Sequence, residues 1–180
     1  MATQVPMNKN ESPEPWLRGT LQNVPPVPRA VLHALELAQE DLEHWCGNLS
    51  NEELNIGPAG VAPVAFHLRH IARSLDRLLT YAEGRQLSGE QIESFKSELE
   101  PGATRSQLFA ELTAALTAGR SRIMSLCAAP MEEARQVGKK QLPTTIGGLL
   151  VHVADHTQRH VGQAITTAKI VVGQRSGGPT

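Results

Sequence analysis

Seven histidines occur in the 180-residue chain, and five of them fall in two short windows: His67 and His70 in FHLRHIA, and His152, His156 and His160 in LLVHVADHTQRHVGQ. In the second window the spacing is four and then four. On a helix, adjacent members lie one turn apart on nearly one face, drifting by about 40° per step. Two imidazoles so placed can chelate one ion. His152 and His160 are roughly 12 Å apart along the helix axis, so those two do not form a chelating pair. Leu149 and Val153 share the stripe of His156 and His160, which therefore faces inward at its first turns and becomes polar where the histidines begin. His67 and His70 likewise border the apolar seam of Leu68, Ile71 and Leu75.

Imidazoles at the edge of a core need partners. An unpaired one costs on the order of 1–3 kcal/mol, and several facing one another cost more unless a shared group organises them. A divalent cation does so, with neutral nitrogens at about 2.0–2.1 Å in the case of zinc. Three histidines from two helices would leave coordination positions open, the pattern of catalytic rather than structural zinc. A lone seam histidine is usually a hydrogen-bonded core residue, and an HxxxHxxxH run alone also fits a solvated stripe. The second cluster, on the inner edge of another helix, is what turns the reading toward metal. His33 and His44 have no such company and read as surface residues.

Four long helices must carry these windows. The first begins at Arg29, places Leu32, Leu35, Leu42 and Trp45 on one stripe, and stops at Gly47-Asn48. The second holds Leu68, Ile71, Leu75, Leu78 and Ala82 at seam spacing and ends at Gly84. Residues 85–103 read as a connection with a short amphipathic turn around Ile92 and Phe95. The third helix starts near Thr104, carries Leu108, Leu112, Leu116, Ile123 and Leu126, and ends at Ala129-Pro130. After Pro143, Thr144 or Thr145 caps a fourth helix running to about Val172. With no alternating strand pattern, the fold class is all-α: a four-helix bundle over 29–173, with a Pro-rich N-terminal arm, 1–28, and a C-terminal tail, 174–180. Trp16 and Leu17, the arm's only bulky apolar pair, are expected to dock it onto the bundle.

A net charge of -1 removes the electrostatic footprint of a nucleic-acid binder, and six aromatic residues offer no stacking platform for single strands. No apolar run is long enough to span a membrane, and the N-terminus lacks the marks of a secretion signal, so a cytoplasmic protein is expected. Cys46 and Cys127 then read as reduced core residues.

HLRHIARSLDRLL, followed far downstream by HVADHTQRHVGQ, resembles the DinB-like (DNA-damage-inducible) superfamily of metal-dependent four-helix-bundle proteins. The resemblance spans most of residues 15–172, including the PWLRG lead-in and the YAEG exit from the second helix. It implies that His70, His156 and His160 hold one divalent metal, zinc or nickel, with His67 and His152 as neighbours of the open site. Family members often carry Arg after the last histidine; here Val161 stands there, while Gly162 and Gln163 are kept. Gly162 fits a close helix approach. Gln163, on the face of His160, either orients a ligand or water or faces solvent. Arg69, Arg73 and Arg77 read as solvated or paired with helix-borne acids, and Arg77 is the one candidate anion anchor.

Relatives in that superfamily include bacillithiol-using S-transferases and a mycothiol-dependent maleylpyruvate isomerase. The resemblance therefore implies a low-molecular-weight thiol activated by the metal, with metal-activated water as the second option. A non-catalytic metal-binding or stress-related bundle is the alternative. No clear general base accompanies the ligands, since Asp155 lies about 100° around the helix from His156. Metal affinity is expected to weaken as pH drops through about 6, where imidazoles take up protons. The expected partners are a small-molecule substrate and a second copy in a homodimer.

Overall fold

The computed structural model describes residues 12–175. Residues 1–11 of the expected arm and 176–180 of the expected tail lie outside that range. Within it are six helices, α1 (Pro26–Cys46), α2 (Asn51–Leu54), α3 (Val64–Ala82), α4 (Gly89–Lys96), α5 (Arg105–Ser125) and α6 (Ile146–Arg175), and two strands, β1 (Ala134–Val137) and β2 (Leu142–Thr145). The four long helices form the bundle. α1 packs on α6 and α5, and α3 packs on the same two, giving the cyclic order α1–α6–α3–α5.

Periodicity explains the core. Leu32, Leu35, Leu42 and Cys46 of α1, Leu68, Ile71, Leu75 and Leu79 of α3, Leu108, Leu112, Leu116 and Ile123 of α5, and Val153, Val161 and Ala164 of α6 are all buried. Their three- and four-residue steps keep one stripe of each helix inward. On α3 the seam takes Leu79 rather than Leu78, which is only half-buried. On α1 Cys46 fills the place expected for Trp45, which is 41% exposed with the Lys169 ammonium 4.0 Å above its ring. Both cysteines are free; burial pushes the Cys46 thiol up to about 12, and Cys127 is half-buried rather than in the core.

The close helix approach lies at Gly119, not at Gly162. A Cβ on Gly119 would stand 2.7 Å from Leu75 Cδ2, whereas one on Gly162 would meet nothing within 4 Å. Gly119 thus lets α5 settle against α3.

Helix ends follow local chemistry. α1 starts at Pro26, three residues earlier than expected, because a proline at the first helical position lacks only a donor that would go unpaired there. Thr104 and Gln107 form a capping box that starts α5, as Ser88 and Gln91 do for α4. α5 ends at Ser125, before the expected Ala129-Pro130, and α6 extends beyond Val172 to Arg175.

Two connections differ from expectation. The segment before α6 is an antiparallel hairpin, with Ala134 opposite Thr145 and Val137 opposite Leu142. Its four-residue strands are too short for alternation to register, and Pro143 disguises the second. The hairpin delivers Thr145, whose Oγ1 accepts from Gly148 N at 3.0 Å and caps α6. The arm is docked by Arg18 rather than by Trp16 and Leu17, which are 61% and 57% exposed. Arg18 donates to Glu36 at 3.0 Å and to Glu40 at 2.6 Å on α1, while Pro15 is buried. The arm also covers His33, which is buried, not superficial, with Thr20 Oγ1 3.1 Å from its Nε2. His44 is exposed.

Candidate metal centre

α3 and α6 face each other with their histidines at one level. One ring nitrogen each from His70, His156 and His160 lies within 4.8 Å of the others. The closest approach is His70 Nε2 to His156 Nε2, 3.2 Å. Ligand nitrogens on a tetrahedral ion at about 2.0–2.1 Å stand about 3.3–3.4 Å apart, so this pair is already at coordination spacing.

The hydrogen bonds around the rings define which nitrogens are free. Glu98 Oε2 accepts from His70 Nδ1 at 2.6 Å, so the His70 proton sits on Nδ1 and Nε2 carries a lone pair. Ser74 Oγ donates to Ile71 O at 3.2 Å and so presents a lone pair to His156 Nδ1, 3.4 Å away. The two Nε2 atoms face each other across 3.2 Å, a gap that one proton or one cation bridges. His160 Nδ1 is engaged by His67 Nδ1 at 3.1 Å, which leaves His160 Nε2 as its uncommitted nitrogen.

A proton is disfavoured here. Burial, then the charges of neighbouring histidines, lower His67 to about 4. Burial followed by His160, His70, His152 and Arg159 lowers His156 to about 4. Burial, His70 and Arg159 lower His160 to about 4, against a small opposing effect of Glu98. The rings of His156 and His160 are thus neutral and able to donate electron pairs at pH 7, and with His70 they fit one divalent cation.

Glu98 went undetected in the sequence. It is 3% exposed and lies just past α4, in the strap between Gly84 and Thr104. Burial alone would push its carboxyl up; hydrogen bonds from His70 and Arg77, with the Arg77 charge, hold it below the ordinary range. Three arginines on one face of α3 hold the strap. Arg69 donates to the Glu100 carbonyl, Arg73 to the Ser94 carbonyl at 2.6 Å and to Glu111 at 2.6 Å, and Arg77 to Glu98 Oε1 at 2.8 Å. That stripe of arginines was the available signal, because each needed an acceptor close by. Ser74, hidden in the α3 seam, gave none.

The remaining histidine-window residues surround the triad. His67 is 4% exposed and touches His160; His152 is exposed, its ring 5.4 Å from that of His156. Gln163 is exposed and lines a cleft of about 560 Å³ that reaches His67 and His160. Arg77 lines a second cleft, about 330 Å³, that reaches His70 and His156. Its guanidinium is committed to Glu98 and lies 5.0 Å from the Phe95 ring centre, so the expectation of an anion anchor is not met. Asp155 is exposed and pairs with Arg159 at 2.6 Å, away from the triad.

Comparison with known proteins agrees with this architecture. The family model of the DinB superfamily matches residues 34–164, and the chain belongs to that superfamily. Among solved structures, a conserved protein from Enterococcus faecalis is similar, with 21% identity and a TM-score of 0.68 over 82% of this chain and 98% of that chain. At that identity the likeness is one of fold. A search of curated proteins returns no match. Superfamily membership and the histidine cluster are together compatible with a metal-binding protein. Among the described residues, no helix is long and apolar enough to cross a membrane.

Proposed function

We propose that the chain is a metal-dependent enzyme in which His70, His156 and His160 hold one divalent ion, zinc or nickel, for the activation of a low-molecular-weight thiol or of water against a small-molecule substrate. The observation that carries this reading is the convergence of three ring nitrogens, with His70 Nε2 and His156 Nε2 3.2 Å apart and His160 beside them. A divalent ion so held would supply the positive charge that lowers the pKa of a thiol or water ligand toward neutrality.

The chain's own residues do the rest. Glu98 keeps the proton on the outward nitrogen of His70, and Ser74 lies beside that of His156, so that both rings present their Nε2 atoms to one point. Phe66 stacks on His70 with ring centres 5.2 Å apart and shields it on one side. The two clefts approach the triad by different routes, one past His70 and His156, the other past His67 and His160. That is the arrangement a two-substrate transfer requires.

Elemental analysis of the purified chain should find one divalent ion per protomer. His156→Ala should lower its affinity at least about a hundredfold, while His44→Ala leaves it unchanged. Conjugation of a thiol to 1-chloro-2,4-dinitrobenzene should disappear on chelation and return with added zinc or nickel. Stoichiometric metal in His156→Ala, or transfer that survives complete removal of metal, overturns the reading.

A further inference from the structure

We infer that the cleft beside His70 and His156 takes the uncharged, apolar body of a substrate, of the size of one substituted ring, and rejects an anion. The inference names the substrate class for the activity proposed above, yet its binding preference stands on the cleft alone.

The cleft has two walls. α3 supplies one, where steps of four and three residues carry a single face from His70 and Ser74 out to Leu78 and Tyr81. Leu87, Ile92 and Phe95 of the strap supply the other. At about 330 Å³ the space is at the small end of ligand clefts, which suits a single ring with short substituents. Its inner end is polar, where His70, Ser74 and His156 meet, and its body is not. A ligand fitting this profile directs its one polar, reactive group toward the imidazoles and buries its apolar part between the walls.

Charge decides against an anion. Arg77 is the only lining residue with a permanent charge, and its Nη1 is 2.8 Å from Glu98 Oε1. A carboxylate entering the cleft would meet a guanidinium already neutralised, with the ionised Glu98 directly behind it. Between the walls, away from the ion proposed at the inner end, it would lose hydration and gain no free cation. Apolar surface, by contrast, awaits cover: Ile92 and Phe95 are 43% and 56% exposed at the mouth.

Tyr81, the only tyrosine in the sequence, lines this cleft and provides a single reporter. The full chain, labelled in its tyrosine ring and freed of metal, is titrated with benzyl alcohol and, in parallel, with benzoate. Benzyl alcohol should shift the Tyr81 resonances saturably in the millimolar range or below, and benzoate should bind at least about tenfold more weakly. Ile92→Glu, at an exposed position, should weaken benzyl alcohol about fivefold or more without changing the circular dichroism spectrum. If that variant fails to fold, Phe95→Ser serves the same purpose. Equal or tighter binding of benzoate overturns the inference, as does the absence of a saturable Tyr81 response or unchanged affinity in the variant. A chain that binds neither zinc nor nickel yet retains the Tyr81 preference would overturn the proposed enzyme and leave this inference standing.

Discussion

The α1–α5 seam and the α3–α6 seam obey the same helical spacing and finish with different chemistry. Across the first, Leu32, Leu35 and Leu42 meet Leu108, Leu112 and Leu116, each at most 1% exposed. The one buried imidazole of α1, His33, lies under the arm and is satisfied by the hydroxyl of Thr20. Across the second, Leu68, Ile71, Val153 and Val161 are equally buried, but three imidazoles sit with ring centres 4.3–4.9 Å apart. One buried histidine can be accommodated by one hydroxyl. A cluster whose ring nitrogens converge exceeds what packing needs, and that excess is compatible with metal binding.

The contrast can be broken or sharpened by experiment. The largest effect on the folded state is expected in the leucine seam, where Leu112→Ala should cost about 2–5 kcal/mol in urea denaturation while zinc affinity, measured by calorimetry, stays the same. A tenfold loss of zinc affinity in that variant would show that the seams are not independent. In the histidine seam, Glu98→Gln keeps the shape but removes the charge that fixes the His70 proton. Zinc affinity should fall about 10–100-fold, a change of about 1.4–2.7 kcal/mol. Wild-type affinity in Glu98→Gln would remove the carboxylate from the centre.

The smallest and most gradual effect concerns pH. His67, His156 and His160 are depressed to about 4 in the native protein, primarily by burial, against an ordinary value near 6.5. Between these limits the unfolded chain binds protons that the folded one refuses. Their contribution to stability is therefore complete above about pH 6.5 and is lost as pH falls toward 4. Urea midpoints of the metal-free protein at pH 7, 5.5 and 4.5 should decline in that order. The same depression moves proton competition for the ligands below the pH of about 6 expected from free imidazoles. A midpoint that holds constant from pH 7 to 4.5 would contradict the burial of these rings.

Sequence carried the bundle and the two histidine windows because both are written in local periodicity, while the choice of three among the five histidines came from the family resemblance. Apolar steps of three and four identified the seams, and the four-residue spacing of His152, His156 and His160 put neighbouring imidazoles one turn apart on α6 before any tertiary contact was known. What escaped depends on contacts distant in the chain. Glu98 reaches His70 from 28 residues away, and nothing in ESFKSELE separates it from the neighbouring acids. His33 is buried by an arm whose path no period encodes, and Trp16 turns outward because Arg18 makes the docking contact instead. The hairpin is too short to show alternation and is held by its neighbours, including Arg135, which donates to the Ala82 carbonyl at 2.7 Å.

One carboxylate divides its two oxygens between an imidazole and a guanidinium: Oε2 of Glu98 faces His70 and Oε1 faces Arg77. Lifting the strap would thus withdraw the partner that orients a ring of the triad at the same time as it unroofs the neighbouring space. A single carboxylate thus ties the strap both to a ring of the triad and to the arginine that lines the neighbouring cleft.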